Sequence, residues 1–248
     1  MKTGKFESQE HLLVFIMDRI AERLTTHAVL KGGMVLRLTN SPRSTNDLDY
    51  VLVPFKSKSD IVDLVLDCLK DIPGITCSHQ LNSKCLRINI STEEGIMVQI
   101  EANVMLECMS STLSNQFLAQ KYGLAPRVIK VMSFEVALAN KLAAWCERRL
   151  VRDIFDIYYL STVLGKEPDL KTLAGRLEKL NFARNVRGKK KNMTFQELAA
   201  EMEEYVANLS MDQIEGELSP YFPSGELVGL DNTIKTGILR IINWLKQR

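Results

Sequence analysis

The stretch KGGMVLRLTNSPRSTNDLDY, which runs from Lys31 to Tyr50, joins two glycines to two closely spaced carboxylates. A short apolar run precedes Gly32 and Gly33, which predicts a strand that ends in a turn. We expect Met34–Leu38 to form a short helix after that turn and Asp47–Val53 to form a second strand. The stretch therefore predicts an α/β fold in which the glycine turn and the carboxylates lie at neighbouring strand ends.

Asp47 and Asp49 are two residues apart on the second predicted strand, so their side chains point to the same face. Such a pair can chelate a hard divalent cation such as Mg²⁺ through carboxylate oxygens. The alternative is that both aspartates lie on a strand face that is exposed to solvent and bind no metal. A third carboxylate, Glu101, lies in a later apolar strand, where an acid either faces water at an edge or is buried with a partner. A metal site shared with the two aspartates would provide such a partner.

Gly32 and Gly33 also have two interpretations. Bare backbone N–H groups at this turn can approach a phosphate, helped by the positive end of the following helix dipole. A plain turn that needs glycine is the alternative. Only thirteen residues separate Gly33 from Asp47, which puts a phosphate-binding turn and a metal-binding carboxylate pair side by side.

The overall composition is that of an ordinary globular protein. The chain has 248 residues, of which 46% are apolar and 25% charged, enough for one large domain or two modest ones. Its formal net charge of +2 does not require a nucleic-acid partner. The five cysteines include no CxxC pair and predict free thiols in a reducing cytosol. The N-terminal apolar run is too short for a signal peptide or a membrane helix, so we expect a cytoplasmic protein.

The chain changes character near Pro126. Before it, helices and strands mix, and strands predicted at Cys85–Ile90 and Ile96–Val104 are joined by a hairpin turn. After it, the periodicity is helical and strand signals are few. We therefore expect an α/β (α+β) core with a mixed sheet over residues 1–125, followed by a mainly helical domain over residues 126–248.

The helical part carries a second polar pattern. Lys141 and Arg148 are seven residues apart on one helix face and form a basic stripe that can lie along a triphosphate. A solvated basic face is the alternative, and it is our interpretation of Arg149. Asp153 and Asp156 follow on the next predicted helix, where an i,i+4 bridge such as Arg149–Asp153 would simply stabilise the helix.

Five motifs follow one another between about residues 30 and 160: Leu30–Gly33, Arg43–Tyr50, Ile100–Asn103, Lys141–Arg148 and Arg152–Leu160. A Gly-Gly pair followed by Asp-x-Asp and a later strand acid resembles the polymerase-β-like nucleotidyltransferase superfamily. More narrowly, the five motifs resemble the AbiEii/AbiGii toxin family, in that family's order and at plausible spacing. The superfamily usually has Gly-Ser where this chain has Gly-Gly, as the narrower family often does. Beyond about residue 165 no motif matches.

The resemblance implies a nucleotidyltransferase that transfers an NMP from an NTP to an acceptor with two Mg²⁺ ions. It implies that Asp47 and Asp49 hold both ions and that Glu101 adds to the ion on the nucleophile side. Lys141 and Asp153 complete the catalytic set, with the active site in the cleft between the two domains. The residues expected to bind the NTP are Lys31, Gly32, Gly33, Thr45, Lys141 and Arg148.

The same resemblance implies the toxin of a bacterial toxin–antitoxin or abortive-infection system. A tRNA is the expected acceptor, and the antitoxin is expected to be a separate protein. The basic run Arg184–Asn192 can contact an RNA backbone, or it can be a solvated loop. Two alternatives stay open, a small-molecule (antibiotic-type) nucleotidyltransferase and a non-catalytic nucleotide- or RNA-binding module.

Overall fold

A computed structural model describes residues 5–182 and 192–248, and the chain divides into two compact units, Met1–Met132 and Ser133–Arg248. A mixed sheet with helices confirms the predicted fold class. All of the basic run Arg184–Asn192 except its last residue lies outside the described residues.

Over its described residues, 5–132, the first unit contains the sheet and four α-helices. Its strands are β1 (Ala28–Lys31), β2 (Asp47–Leu52), β3 (Ile75–Leu81), β4 (Leu86–Thr92), β5 (Met97–Val104), β6 (Ser110–Ser114) and β7 (Val128–Met132). Its helices are α1 (Gln9–Arg23), α2 (Gly33–Leu38), α3 (Val62–Leu69), preceded by a 3-10 turn at Lys58–Ile61, and α4 (Gln116–Lys121).

The strands lie in the order β3-β4-β5-β2-β1-β7-β6. β2 is parallel to β5 and β1 is parallel to β7, whereas the remaining neighbours are antiparallel. Along β2 the side chains alternate, with Leu48 and Tyr50 buried and Asp47 and Asp49 partly exposed on the opposite face. Burial of the apolar face fixes this alternation, because a slip by one residue would bury both aspartates.

The second unit is helical over its described residues. Its helices are α5 (Phe134–Arg148), α6 (Val151–Tyr158), α7 (Leu170–Leu177), α8 (Phe195–Ala207), α9 (Met211–Leu218) and α10 (Leu230–Lys246), and a π-helical turn at Tyr159–Val163 extends α6. Trp145, Phe155 and Ile238 are fully or almost fully buried in its core. None of the helices within residues 5–182 and 192–248 is long and apolar enough to cross a membrane.

Three strands have no counterpart in the sequence-based prediction. β3 and β6 are the two edges of the sheet, and most of their side chains are exposed, so the hydrophobic alternation that predicts a strand is missing. β7 lies beyond Pro126, in the part predicted to be mainly helical. It buries Ile129, Val131 and Met132 in a run of only five residues, too short for periodicity to tell a strand from a helix.

Glu10 ties three helices of the first unit together. Its Oε1 accepts hydrogen bonds from Arg37 on α2, with Nη2 at 2.5 Å, and its Oε2 accepts from Lys121 Nζ at 2.5 Å and from the Tyr122 hydroxyl at 2.6 Å. Burial raises the pKa of this carboxyl, but the bonds from Lys121, Tyr122 and Arg37 together outweigh burial and lower the pKa to about 2. The charged form of Glu10 therefore stabilises the fold.

Glu10→Gln is expected to lower the free energy of unfolding at pH 7 by up to about 3 kcal/mol. Because the pKa falls from 4.5 to about 2 on folding, the stabilisation is complete above pH 4.5 and disappears as the pH decreases towards 2. Urea unfolding at pH 7 and at pH 3 should show a smaller difference between wild type and variant at the lower pH. Glu22→Gln on the same helix, where the side chain is 44% exposed, should lower the free energy of unfolding by less than about 1 kcal/mol. Equal losses of unfolding free energy in the two variants would contradict the stabilising role of the Glu10 carboxylate.

Candidate active site

A row of four charged side chains crosses the sheet of the first unit at one register. Lys31 on β1 is paired with Asp49 on β2, and its Nζ lies 3.2 Å from Asp49 Oδ1. Asp49 is paired in turn with Glu101 on β5. Glu101 is paired with Arg87 on β4, whose Nη2 donates to Glu101 Oε1 at 2.6 Å. We call Lys31, Asp49, Glu101 and Arg87 the charged row, in which each carboxylate has a cation on its outer side.

Two neutral side chains donate further hydrogen bonds to the carboxylates of this face. Thr45 Oγ1 donates to Asp47 Oδ1 at 2.6 Å, just before β2 begins. Gln99 is paired with Asp47 across β2 and β5, and its Nε2 donates to Glu101 Oε1 at 2.9 Å. Asp47, Asp49 and Glu101 therefore lie on one face of two adjacent parallel strands, and each has a defined partner.

The glycine turn is packed directly against this face. Gly32 has φ +76° and ψ −155°, a conformation that is essentially restricted to glycine. A Cβ on Gly32 would lie 2.3 Å from Asp49 Oδ2. A Cβ on Gly33 would lie 2.8 Å from Thr45 Oγ1 and 2.9 Å from an Arg43 Nη atom. Both glycines are therefore required by close contact, and Gly32 is required by its backbone conformation as well.

The donor set of this face suits a hard divalent cation. Asp47, Asp49 and Glu101 offer only carboxylate oxygens, which Mg²⁺ prefers over nitrogen or sulfur ligands. Lys31 and Arg87 balance the negative charge that such a cation would otherwise neutralise. As they are placed, the described residues contain no group of three His, Cys, Asp or Glu side chains positioned to hold a metal ion. The three carboxylates are therefore suitable ligands for Mg²⁺. Lys31 and Arg87 bind to some of the carboxylate oxygens that such an ion would use.

The second unit contains a charged cluster of its own between α5 and α6. Lys141 Nζ lies 2.6 Å from Asp156 Oδ2 and 3.5 Å from Asp153 Oδ1. Arg148 contacts Asp153 with two nitrogens, Nη2 at 2.7 Å from Oδ1 and Nε at 3.1 Å from Oδ2. The side chains of Asp153 and Asp156 are completely buried, whereas Lys141 and Arg148 are 22% and 41% exposed. Two buried carboxylates thus fix two cations that reach the surface.

The family model for the nucleotidyl transferase AbiEii toxin of Type IV TA systems matches residues 16–227, most of the chain. The chain belongs to the AbiEii family. The fold is similar to that of JHP933 from Helicobacter pylori, with a TM-score of 0.54 and 14% identity over 98% of this chain and 94% of that one. It is also similar to the structure of a presumed nucleotidyltransferase from H. pylori, with a TM-score of 0.50 and 14% identity over 96% of this chain and 93% of that one. No curated protein matches the chain.

The family match confirms the resemblance and the enzyme class, a nucleotidyltransferase. It shows no role for any single residue, so the site assignments in this AbiEii protein stay predictions. In the first unit the structure brings together the seven predicted residues Lys31, Gly32, Gly33, Thr45, Asp47, Asp49 and Glu101. In the second unit it brings together Lys141, Arg148 and Asp153.

The interpretation of Arg149 as part of a solvated basic face is wrong, and so is the proposed Arg149–Asp153 helix bridge. Arg149 has φ +57° and ends α5, so it does not share a helix with Asp153. Its guanidinium lies 4.1 Å from the centroid of the Trp145 ring and forms an ion pair with Glu201. Burial lowers the pKa of Arg149, because apolar surroundings disfavour the charged form of the guanidinium.

Arg87, Gln99 and Asp156 are the residues of these two clusters that the sequence did not single out as functional. Arg87 and Gln99 become neighbours of Glu101 only through the register of β4 and β5. Asp156 has the same spacing from Asp153 as many helix-surface pairs, and only its burial beside Lys141 distinguishes it. The alternation of Arg87, Ile88 and Asn89 would have predicted a polar face for β4, but not what that face contacts.

Proposed function

We propose that this AbiEii nucleotidyltransferase is the Mg²⁺-dependent toxin of a bacterial toxin–antitoxin or abortive-infection system and transfers an NMP from an NTP to tRNA. The observation that carries the proposal is the pair Asp49 and Glu101 on adjacent parallel strands, beside a turn in which Gly32 contacts Asp49. A separately encoded antitoxin is the proposed partner, in agreement with the Type IV TA description of the family.

In this proposal Asp47 and Asp49 hold two Mg²⁺ ions, and Glu101 adds to the ion on the nucleophile side. When bound, the ions activate the acceptor hydroxyl and neutralise charge on the transferred phosphate and the departing pyrophosphate. Thr45 keeps Asp47 oriented through its 2.6 Å hydrogen bond. Lys31 and Arg87 would have to leave the carboxylate oxygens for the ions to be held there, because the two side chains compete with the ions for the same lone pairs.

The NTP is proposed to bind along the glycine turn. The missing side chains of Gly32 and Gly33 let phosphate oxygens approach the backbone N–H groups, and Lys31, freed from Asp49, adds a positive charge. The first unit, with its sheet, is the proposed catalytic core. The helical second unit is proposed to serve the same reaction with Lys141 and Arg148 as triphosphate ligands, both oriented by Asp153.

The experiment that tests the acceptor incubates the protein with total tRNA, Mg²⁺ and each of the four α-labelled NTPs. We expect label to enter tRNA from one preferred NTP and to be abolished by EDTA. Parallel reactions contain aminoglycosides, which are polycationic small molecules, as acceptors in place of tRNA. Absence of label in any RNA, with a folded protein, would overturn the proposal, and label in an aminoglycoside alone would replace it by the small-molecule activity.

A further inference from the structure

A groove of about 540 Å³ lies on the sheet of the first unit, next to the charged row. Its floor contains a second cross-strand row, in which Gln99 on β5, Asn89 on β4 and Ser78 on β3 are paired in succession. We call these three residues the neutral row. The row starts at the carboxylates, because Gln99 is paired with Asp47 and donates to Glu101 at 2.9 Å.

We propose that this groove binds an unpaired nucleoside of the RNA acceptor and places its ribose hydroxyl beside Asp47 and Glu101. The proposal deepens the proposed function and rests on it for the identity of the reaction. The groove volume is within the range of about 300–1,000 Å³ that is usual for small-molecule sites. Two strand spacings, about 10 Å, separate Gln99 from Ser78, which is comparable to the length of a nucleoside.

The chemistry of the lining favours a nucleoside over a triphosphate or a polycation. None of the described residues that line the groove carries a charge. Asn89 and Ser78 are exposed and form no side-chain hydrogen bond with another residue of the described ranges, so their donors and acceptors can pair with the edge of a base. Met97, 67% exposed at the same groove, offers a flexible apolar contact for the face of the base.

The order of the strands separates this groove from the phosphate-binding turn. Gly32 follows β1, on one side of β2, whereas β5, β4 and β3 extend from the other side of β2. Nucleotidyl transfer is an in-line displacement, so the attacking hydroxyl and the leaving pyrophosphate lie on opposite sides of the transferred phosphorus. The O–P bond to the acceptor forms as the bond to pyrophosphate breaks, and the hydroxyl proton is released to solvent. A triphosphate on the β1 side therefore leaves the β5 side to the acceptor.

The double variant Ser78→Ala/Asn89→Ala tests the groove. We expect the Kd for a single-stranded oligoribonucleotide, measured by fluorescence anisotropy, and the KM for tRNA to increase about tenfold, because two hydrogen-bonding side chains are lost. The kcat at saturating tRNA and the affinity for a fluorescent NTP analogue should stay unchanged. Ser110→Ala/Thr112→Ala changes two residues that are also exposed, on the opposite edge strand β6. This double variant is the matched control and should change none of these values.

A crosslinking measurement locates the RNA directly. The same oligoribonucleotide with a 3′-terminal 4-thiouridine should crosslink on irradiation within residues 76–99. Crosslinks elsewhere would overturn the assignment of the groove as the RNA-binding site. The same holds if the Ser78/Asn89 variant has unchanged Kd and KM while wild type still labels tRNA. Both results would leave the proposed function intact. Crosslinks in the groove from a protein that labels no RNA would instead support the groove as an RNA site and overturn the proposed function.

Discussion

Asp49→Asn is expected to lower the rate of nucleotide transfer on the order of a thousandfold while leaving the protein folded. Asp49 is the central carboxylate of the charged row and would be shared by both metal ions. A neutral amide cannot balance those ions, and metal-based charge stabilisation is worth several kcal/mol of the activation barrier, at about 1.4 kcal/mol for each tenfold change in rate. The measurement is the single-turnover rate of label transfer at saturating NTP and Mg²⁺.

The fold should tolerate this change. A neutral amide in place of the Asp49 carboxylate removes the repulsion with Glu101, but it also removes the ionic partner of Lys31. Because these groups are partly exposed, each effect changes the free energy of unfolding by less than about 1 kcal/mol. Asp63→Asn makes the same chemical change at an exposed position of α3 and should keep full activity. Undiminished transfer by the Asp49→Asn variant would rule out the metal-site assignment.

Gly32→Ala is expected to reduce both stability and activity. The backbone at φ +76°, ψ −155° would be strained with any side chain by about 1–3 kcal/mol, and the new Cβ would lie 2.3 Å from Asp49 Oδ2. Either the turn or Asp49 has to move, and a displacement of about 1 Å at a reacting centre can cost about a hundredfold in rate. Urea unfolding and the single-turnover rate measure the two effects.

Gly95→Ala separates the effect of backbone strain from the effect of contact between the new Cβ and Asp49. Gly95, in the turn between β4 and β5, has a similar φ of +83°, but nothing lies within 4 Å of an added Cβ. This variant should lose about 1–2 kcal/mol of stability from backbone strain alone and keep its activity. If Gly32→Ala lowered stability no more than Gly95→Ala and kept its activity, the contact between the turn and Asp49 would have no functional role.

Much of the geometry of the candidate site could be predicted because its signals are local. A glycine pair after an apolar run and an Asp-x-Asp alternation are short patterns with direct geometric consequences. The later acid Glu101 required the family resemblance, since an acid in an apolar strand has several explanations. The edge strands β3 and β6 lack the buried face that gives a strand its signal, and β3 carries part of the groove.

The sequence by itself determined the glycine turn, the shared face of Asp47 and Asp49, the helices with apolar stripes and the family. Only the tertiary structure decided which side chains complete the site. Arg87 and Gln99 lie next to Glu101 because β4 and β5 pair in one register, and Asp49 joins them because β2 lies parallel to β5. Periodicity along the chain specifies the face on which a residue lies, whereas the neighbours on that face depend on strand pairing, which the packing of the whole sheet selects.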